Sequence, residues 1–475
     1  MQEAGEAAYD YLRQRWPNAG RLCVICGTGN NGGDGLILAS LALRSGLAVQ
    51  VFLAGVAEAM VGDAALARDQ WLAIANHHAV RPWALTLEEL DPSSYDVVVD
   101  GLFGTGLNRP LDQQTCELIE TINSMGCPVL ALDCPSGLHA DTGRALPVAI
   151  RATATVTFIV PKRGLLTGHA GDHTGDIVLA ALGADAADLS AVAADVVCPH
   201  LDELRQTLPS LPAAVHKYQR GKLVIVGGGP GMAGAAILAG EAALMAGAGL
   251  VCVASTDATC GAAVVRYPEL LARPVASPED LRDAIPKARA LVLGPGLGTT
   301  PWAASLLDFA LQSSLPLVLD ADALTLLKDR VELLQDRSAP VILTPHEGEA
   351  ARLLDVSADE IGSDRFAAVT ALSARYAATV VLKGHGTLVS SANLALPIVL
   401  CPLGNPGMAV GGMGDVLSGV LGALLAQGLT TDEAAVLGVF LHAAAGDRCA
   451  EAHGLRGLLP SEVAKEIRLI LKPSV

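Results

Sequence analysis

Aromatic side chains are scarce: Phe, Trp and Tyr together make up 3% of the 475 residues. Without large rings, the core must be filled by Ala, Val and Leu. Positive charge is in deficit as well, with 32 Lys and Arg against 49 Asp and Glu and a net charge of −17. A field of that sign repels nucleic acid and anionic lipid, so neither nucleic acid nor membrane is an expected partner. Small anions stay open as ligands, because backbone dipoles can hold them locally. Long hydrophobic runs are missing too; Gly or a charge breaks each one well short of the roughly 18 residues of a membrane span. The opening Met1-Gln2-Glu3-Ala4-Gly5 lacks the basic start and apolar stretch of a secretory signal. The 10 Cys follow no disulfide spacing and suit a reducing cytosol, so a cytoplasmic location is expected. The one C-x-x-C, Cys23-Val24-Ile25-Cys26, lies in a strand-like run whose i and i+3 side chains face opposite ways. That argues for two small core residues rather than a metal or redox pair.

What is present is a chain with 51% hydrophobic residues and 50 Gly, long enough for two or three domains at roughly 100–200 residues each. Two stretches share one pattern: a short buried strand, a Gly-rich turn and an Ala/Leu helix. The first runs through 22–25, then Cys26-Gly27-Thr28-Gly29-Asn30-Asn31-Gly32-Gly33-Asp34-Gly35, with a helix to about residue 44. The second runs through 222–226, then Gly227-Gly228-Gly229-Pro230-Gly231, with a helix to about residue 246. Strands are expected at 49–53, 97–99 and 129–132, and again at 250–254, 290–293, 317–319, 341–343 and 380–382. Alternation with helices predicts α/β domains with mostly parallel sheets. Pro209, Pro212 and the polar stretch from His216 to Arg220 break the rhythm, so the expected domains are 1–207 and 208–475.

Gly27-Thr28-Gly29-Asn30-Asn31-Gly32 fits G-x-G-x-x-G, but no acidic residue ends the next strand to hold a ribose. A carboxylate at Asp34 would also repel a bare pyrophosphate. A Rossmann oxidoreductase is therefore disfavoured. More telling are Asp100, before Gly101-Leu102-Phe103-Gly104-Thr105-Gly106, and Asp133, before Cys134-Pro135-Ser136-Gly137. Both close strands, where ligands of open α/β sheets gather, and all-oxygen donors suit a hard cation rather than zinc. In the second half, Gly411-Gly412-Met413-Gly414-Asp415 opens a helix, placing backbone N–H groups and the helix dipole at an anion. No G-x-x-x-x-G-K-[ST] occurs. A carboxylate at a phosphate-binding helix start is costly unless it takes a proton from an attacking hydroxyl or holds a metal. Lys383-Gly384-His385-Gly386-Thr387 adds a cation, and Thr344-Pro345-His346 adds polar groups at another strand end. His442 is expected to be a satisfied core residue. His169 and His173 stand at i,i+4, but the glycines around them argue against a helix and a zinc site there.

On these motifs the whole chain resembles the bifunctional NAD(P)H-hydrate repair enzymes, which fuse an NAD(P)HX epimerase to an NAD(P)HX dehydratase. The front-half likeness rests on Gly29 through Gly35, Asp100 through Gly106 and Asp133 through Leu138. The back-half likeness rests on Gly294-Pro295-Gly296-Leu297-Gly298, Thr344-Pro345-His346, the Lys383 loop and Asn405 through Asp415. The resemblance implies an N-terminal Rossmann-like three-layer sandwich and a C-terminal ribokinase-like domain. NAD(P)HX is reduced nicotinamide nucleotide with water added to a ring double bond, in R and S epimers. The implied activity interconverts the epimers and dehydrates S-NAD(P)HX to NAD(P)H, with ADP giving AMP and phosphate. ADP with magnesium is expected in preference to ATP, potassium is an expected cofactor, and a homo-oligomer is expected.

Position by position, the resemblance implies an epimerase pocket of Asn30, Asn31, Gly32, Gly33 and Asp34 with Gly104, Thr105, Gly106, Leu107, Asn108, Arg109 and Pro110. Asp133 would contact substrate and carry protons at the epimerised carbon. Asn31, Asp100 and Ser136 would ligate potassium. Gly298 and His346 would touch the nicotinamide nucleotide of the dehydratase. ADP would lie on Lys383, Gly384, His385, Gly386 and Thr387 and on Asn405, Pro406, Gly407, Met408, Ala409, Val410, Gly411, Gly412, Met413 and Gly414. Asp415 would be the base for the attacking hydroxyl. The alternative keeps the C-terminal fold as a vitamin or sugar kinase beside a non-catalytic N-terminal binding module. A mere binding module has no need for Asn31, Asp100, Asp133 and Ser136 together.

Overall fold

Runs such as Val97-Val98-Val99 and Val129-Leu130-Ala131-Leu132 carry no polar alternation, so both faces of their sheet must be covered. The computed structural model describes residues 1–84, 94–185, 189, 192–335 and 337–472. The chain divides into two compact units, Met1–Ala193 and Ala194–Val475.

In the first unit, β1 (Arg21–Cys26), β2 (Ala48–Leu53), β3 (Val97–Gly101), β4 (Val129–Leu132), β5 (Ala154–Phe158) and β6 (Asp176–Ala180) form one sheet in the order β2-β1-β3-β4-β5-β6. Every pairing is parallel. Chain order reverses between β1 and β3, which opens a crevice beyond their carboxyl ends. The helix Asn30–Arg44 is buried along nearly its whole length, packed against the sheet and against Gln2–Arg15 and Gly62–His77. The helix Gln113–Ser124 covers the other face, giving the three layers that were expected. Cys26 lies in one of these cores and Cys23 in the other, and both are free thiols that burial pushes up. One feature differs: Gly171–Thr174 forms a helical turn despite its glycines. Its His173 is held from outside, since Ala152 N donates to His173 O at 2.8 Å and the ring nitrogen Nδ1 lies 3.1 Å from Ile150 O.

Among the described residues the second unit has ten strands: β7 (Val196–Val197), β8 (Lys222–Val226), β9 (Leu250–Ser255), β10 (Leu271–Pro274), β11 (Ala288–Leu293), β12 (Leu317–Leu319), β13 (Val341–Leu343), β14 (Thr379–Leu382), β15 (Thr387–Ser390) and β16 (Ile398–Cys401). Their order is β10-β9-β8-β11-β12-β13-β14-β15-β16-β7, and β15 alone runs against its neighbours. Here the reversal falls between β8 and β11, whose Gly-rich exits are bonded to each other: Gly228 N donates to Pro295 O at 2.8 Å. The helix Met413–Gln427 packs on the sheet and against Ala233–Met245. The compact units part at 193/194, ahead of the 207/208 boundary expected from the Pro-rich stretch. The reason is that Val196–Val197 pair with β16 and Leu201–Leu204 pack on the helix Thr431–His453. No helix among the described residues is long and apolar enough to cross a membrane.

Candidate active sites

The crevice of the first unit gathers residues from four strand exits. The glycine-rich segment Asn30 to Gly35 belongs to the first turns of its helix rather than to a preceding turn. Gly32 permits this, since a Cβ there would fall 1.9 Å from Gly27 O. Asn31 Nδ2 donates to Phe103 O at 2.7 Å, while its Oδ1 is buried with no partner among the described residues. Asp100 is fully buried and accepts from Ser136 Oγ at 2.6 Å, Ser136 N at 2.8 Å and Leu102 N at 3.2 Å. Burial outweighs those bonds and pushes its carboxyl up to about 6. Ser136 Oγ accepts from Phe103 N at 2.9 Å, which ties the β3 exit to the β4 exit. Asp133 follows β4 in a left-handed conformation (φ 63°). A Cβ built at Gly104 would lie 3.1 Å from Asp133 Oδ2 and 3.5 Å from Asn31 Cβ, so these three meet. The other oxygen, Oδ1, accepts from Lys162 Nζ at 2.5 Å. Asp34 is 8% exposed, and burial pushes it up to about 7 against the pull of the N-terminal ammonium, with the Asp133 carboxylate adding to the rise. Beyond Gly104, Leu107 is buried, while Thr105, Gly106, Asn108, Arg109 and Pro110 line the surface.

In the second unit Asp415 enters the first turn of Met413–Gln427, which Gly412 caps with φ 101°. Asp415 is pushed up to about 7, first by burial and then by the Asp320 carboxylate, against the opposing pull of Lys383. A Cβ at Gly414 would lie 3.4 Å from Lys383 Nζ and 3.7 Å from Asp320 Oδ2, which places all three groups at the helix start. Asp320 is 1% exposed and joins four elements. It accepts from Lys383 Nζ at 2.9 Å, Thr344 Oγ1 at 2.8 Å and Ser418 Oγ at 2.7 Å. Burial alone would raise its carboxyl, but Lys383 and the two hydroxyls hold it below the usual range. Burial would likewise lower Lys383, yet Asp320 and Glu349 keep it above its usual value. His346 caps the helix Glu347–Leu354, Nδ1 accepting from Gly348 N at 3.0 Å, and burial lowers its pKa. Gly298 N donates to Asp322 Oδ2 at 2.8 Å, and the Asp322 charge also reaches Asp415.

The loop Lys383 to Thr387 rests on Arg365, which is fully buried, ion-paired with Glu347 and donates to Lys383 O at 3.2 Å. In the Asn405 to Gly414 loop, Gly411 and Val410 are exposed, but the Asn405 side chain is engaged inside the protein. It donates to Asp447 Oδ1 at 2.8 Å and accepts from Gly407 N at 3.0 Å, which makes it a loop former. His442 departs from expectation: its Nε2 is buried without a partner among the described residues, and burial lowers its pKa to about 4. Sequence reasoning missed Lys162, Asp320, Ser418 and Arg365. None lies in a motif, and each takes its place through a partner distant in the chain.

A carboxylate-lined crevice at a reversal of strand order in one unit, and in the other a cation and a perturbed carboxylate meeting at a helix start beside one, fit a two-domain α/β enzyme. A family model described as NAD(P)H-hydrate dehydratase matches residues 223–469, and one described as YjeF-related protein N-terminus matches residues 1–164. The bifunctional NAD(P)H-hydrate repair enzyme Nnr of Coxiella burnetii is 43% identical, across 100% of this chain and 94% of its own length. That of Escherichia coli is 40% identical, across 100% and 90%. Among solved structures, a ribokinase-like superfamily protein from Enterococcus faecalis matches with a TM-score of 0.53 and 28% identity, over 58% of this chain and 95% of that one. An ADP/ATP-dependent NAD(P)H-hydrate dehydratase from Bacillus subtilis, co-crystallised with ATP and Mg2+, matches at 0.51 and 28%, over 57% and 96%. The chain belongs to the bifunctional NAD(P)H-hydrate repair enzyme family.

Proposed function

We propose that this chain epimerises R- and S-NAD(P)HX in its first unit and dehydrates S-NAD(P)HX to NAD(P)H in its second, converting ADP to AMP and phosphate. The observation that carries the reading is Asp415, a carboxyl raised to about 7 at the start of a helix beside Lys383. A general base is most effective with a pKa near the working pH. Asp415 takes the proton of the ring hydroxyl as its oxygen bonds to the terminal phosphorus of ADP and the bond to AMP breaks. Loss of the new phosphate together with a proton from the neighbouring ring carbon restores the double bond. Lys383 and the backbone of Lys383–Thr387 and Asn405–Gly414 neutralise and position the phosphates. Gly298 and His346 face the nicotinamide nucleotide. Magnesium travels with the nucleotide, since the Asp320 oxygens are already engaged by Lys383, Thr344 and Ser418.

In the first unit Asp133 accepts the hydroxyl proton of the hydrated carbon. The bond from that carbon to the ring nitrogen opens, its electron pair moving to the nitrogen and a carbonyl forming. Closure on the other face returns the pair to the bond and the proton to oxygen. The residues from Asn30 to Asp34 and from Gly104 to Pro110 form the pocket. Potassium fits Asn31, Asp100 and Ser136: the unpartnered Asn31 oxygen and the buried Asp100 charge are what a hard monovalent cation would satisfy. Its positive charge would favour the ionised form of Asp100. Ten free cysteines support a reducing, cytoplasmic setting.

The test is recovery of reduced-nicotinamide absorbance from mixed R- and S-NADHX, with ADP and separately with ATP. Full conversion of both epimers, faster than they interconvert unaided, is expected, and faster with ADP. Conversion stalling once S is consumed contradicts the epimerase, and no recovery with either nucleotide favours the kinase alternative.

A further inference from the structure

We propose that Lys162 is the positioning residue of the epimerase site, clamping one oxygen of Asp133 so that the other is presented to the substrate hydroxyl. The inference rests on reading the first unit as the epimerase, and adds a residue outside every motif of that unit. Lys162 lies four residues beyond the end of β5, and its ammonium meets three acceptors. It donates to Asp133 Oδ1 at 2.5 Å, to Phe158 O at 2.8 Å and to Thr157 Oγ1 at 3.1 Å. An ammonium has three protons, so none remains for substrate. Lys162 therefore acts through Asp133 rather than as the acid itself.

The clamp has the surroundings it needs. The Lys162 and Asp133 side chains are 14% and 15% exposed, shielded enough that bulk salt screens the pair weakly. Thr157 is fully buried, which fixes one acceptor, and Phe158 O is fixed by the strand. On the Asp133 side, the backbone N donates to Val156 O at 2.7 Å, and φ of 63° turns the carboxylate out of the sheet. Among the described residues no donor reaches Oδ2. That oxygen faces the space left by the missing side chain of Gly104, beside Asn31. One oxygen is held and one is open, in a fixed rotamer. A freely rotating carboxylate would lose much of the benefit of orientation.

The experiment measures both activities on one chain, so dehydration of S-NADHX reports that the second unit is intact. Lys162→Ala is expected to lower the epimerase kcat by about 10²-fold, with KM within about threefold. Lys162→Arg should recover about tenfold of that loss, and added ethylammonium should restore the Ala variant saturably without affecting the parent. A Lys162→Ala rate equal to the parent's, or a loss that neither Arg nor ethylammonium relieves in a chain with unchanged circular dichroism, overturns the clamp. If Lys162→Ala unfolds the first unit, Thr157→Val, which removes a single acceptor, carries the test. It should lower kcat severalfold, and an unchanged kcat overturns the proposal. Absence of epimerase activity in the parent chain instead sinks the functional reading itself.

Discussion

Two helices in this molecule begin alike and end up chemically different. Asn30–Arg44 and Met413–Gln427 both open on glycines at a reversal of strand order or beside one, and both carry a carboxylate near their start, Asp34 buried and Asp415 partly so. Asp34 and Asp415 are both pushed up to about 7, with burial the main cause. What separates them is company. Asp415 has Lys383 and the Asp320 network at its side, a fixed cation where phosphate charge would develop. Asp34 has the N-terminal ammonium instead, whose pull burial outweighs, while the Lys162 ammonium of its unit is already committed to Asp133. A raised carboxyl is thus a shared consequence of burial, and on the proposed reading its neighbours decide whether it serves as a base.

The strongest way to break this contrast is Asp415→Asn, which removes the base and keeps the shape. Dehydration of S-NADHX should fall by about 10³-fold or more while epimerisation continues. Loss of both activities in a folded variant would contradict independent sites. Next in size is the pH response. Because Asp415 must be ionised to accept a proton, kcat/KM for dehydration should fall about tenfold per pH unit below about 7. A flat profile between pH 5 and 7 would remove Asp415 from the base role. Smaller again is Ser418→Ala, which takes one hydroxyl from Asp320 and loosens the carboxylate that holds Lys383. A loss of about threefold to tenfold in kcat/KM is expected, given that one hydrogen bond to a charged group contributes roughly 1.5–3 kcal/mol at most. No loss would mean that Thr344 and Lys383 suffice to fix Asp320.

The strands that were legible, such as β3 and β4, are unbroken apolar runs closed by Asp, whereas β5, β6, β7, β10, β15 and β16 were not expected. The same endings made Asp100, Asp133 and Asp415 visible, since a charge at a strand exit or helix start stands out against its surroundings. Lys162, Asp320, Ser418 and Arg365 were not visible, for a physical reason. Lys162 is 29 residues from Asp133, and Asp320 is 63 residues from Lys383 and 98 from Ser418. A single polar residue acquires meaning from a partner, and folding chooses the partner. His442 is the converse: its apolar neighbours pointed to a core residue, but an apolar run is silent on whether a ring nitrogen finds a partner.

The smallest expected effect on dehydration, and the sharpest on the comparison, is Asp34→Asn. A carboxyl whose folded pKa is raised favours folding below its unfolded value near 3.8, and that advantage is lost as pH rises through about 7. At pH 8 the folded chain therefore carries a buried charge that costs on the order of a few kcal/mol. Asn removes the charge without changing the volume, so the thermal midpoint of the first unit should rise by several degrees at pH 8 and by less at pH 5. Dehydration should not change. If Asp34→Asn melts at the same temperature as the parent or lower at pH 8, the N-terminal ammonium holds the Asp34 carboxylate strongly enough to offset its burial. The two helix starts would then be more alike than their neighbours imply.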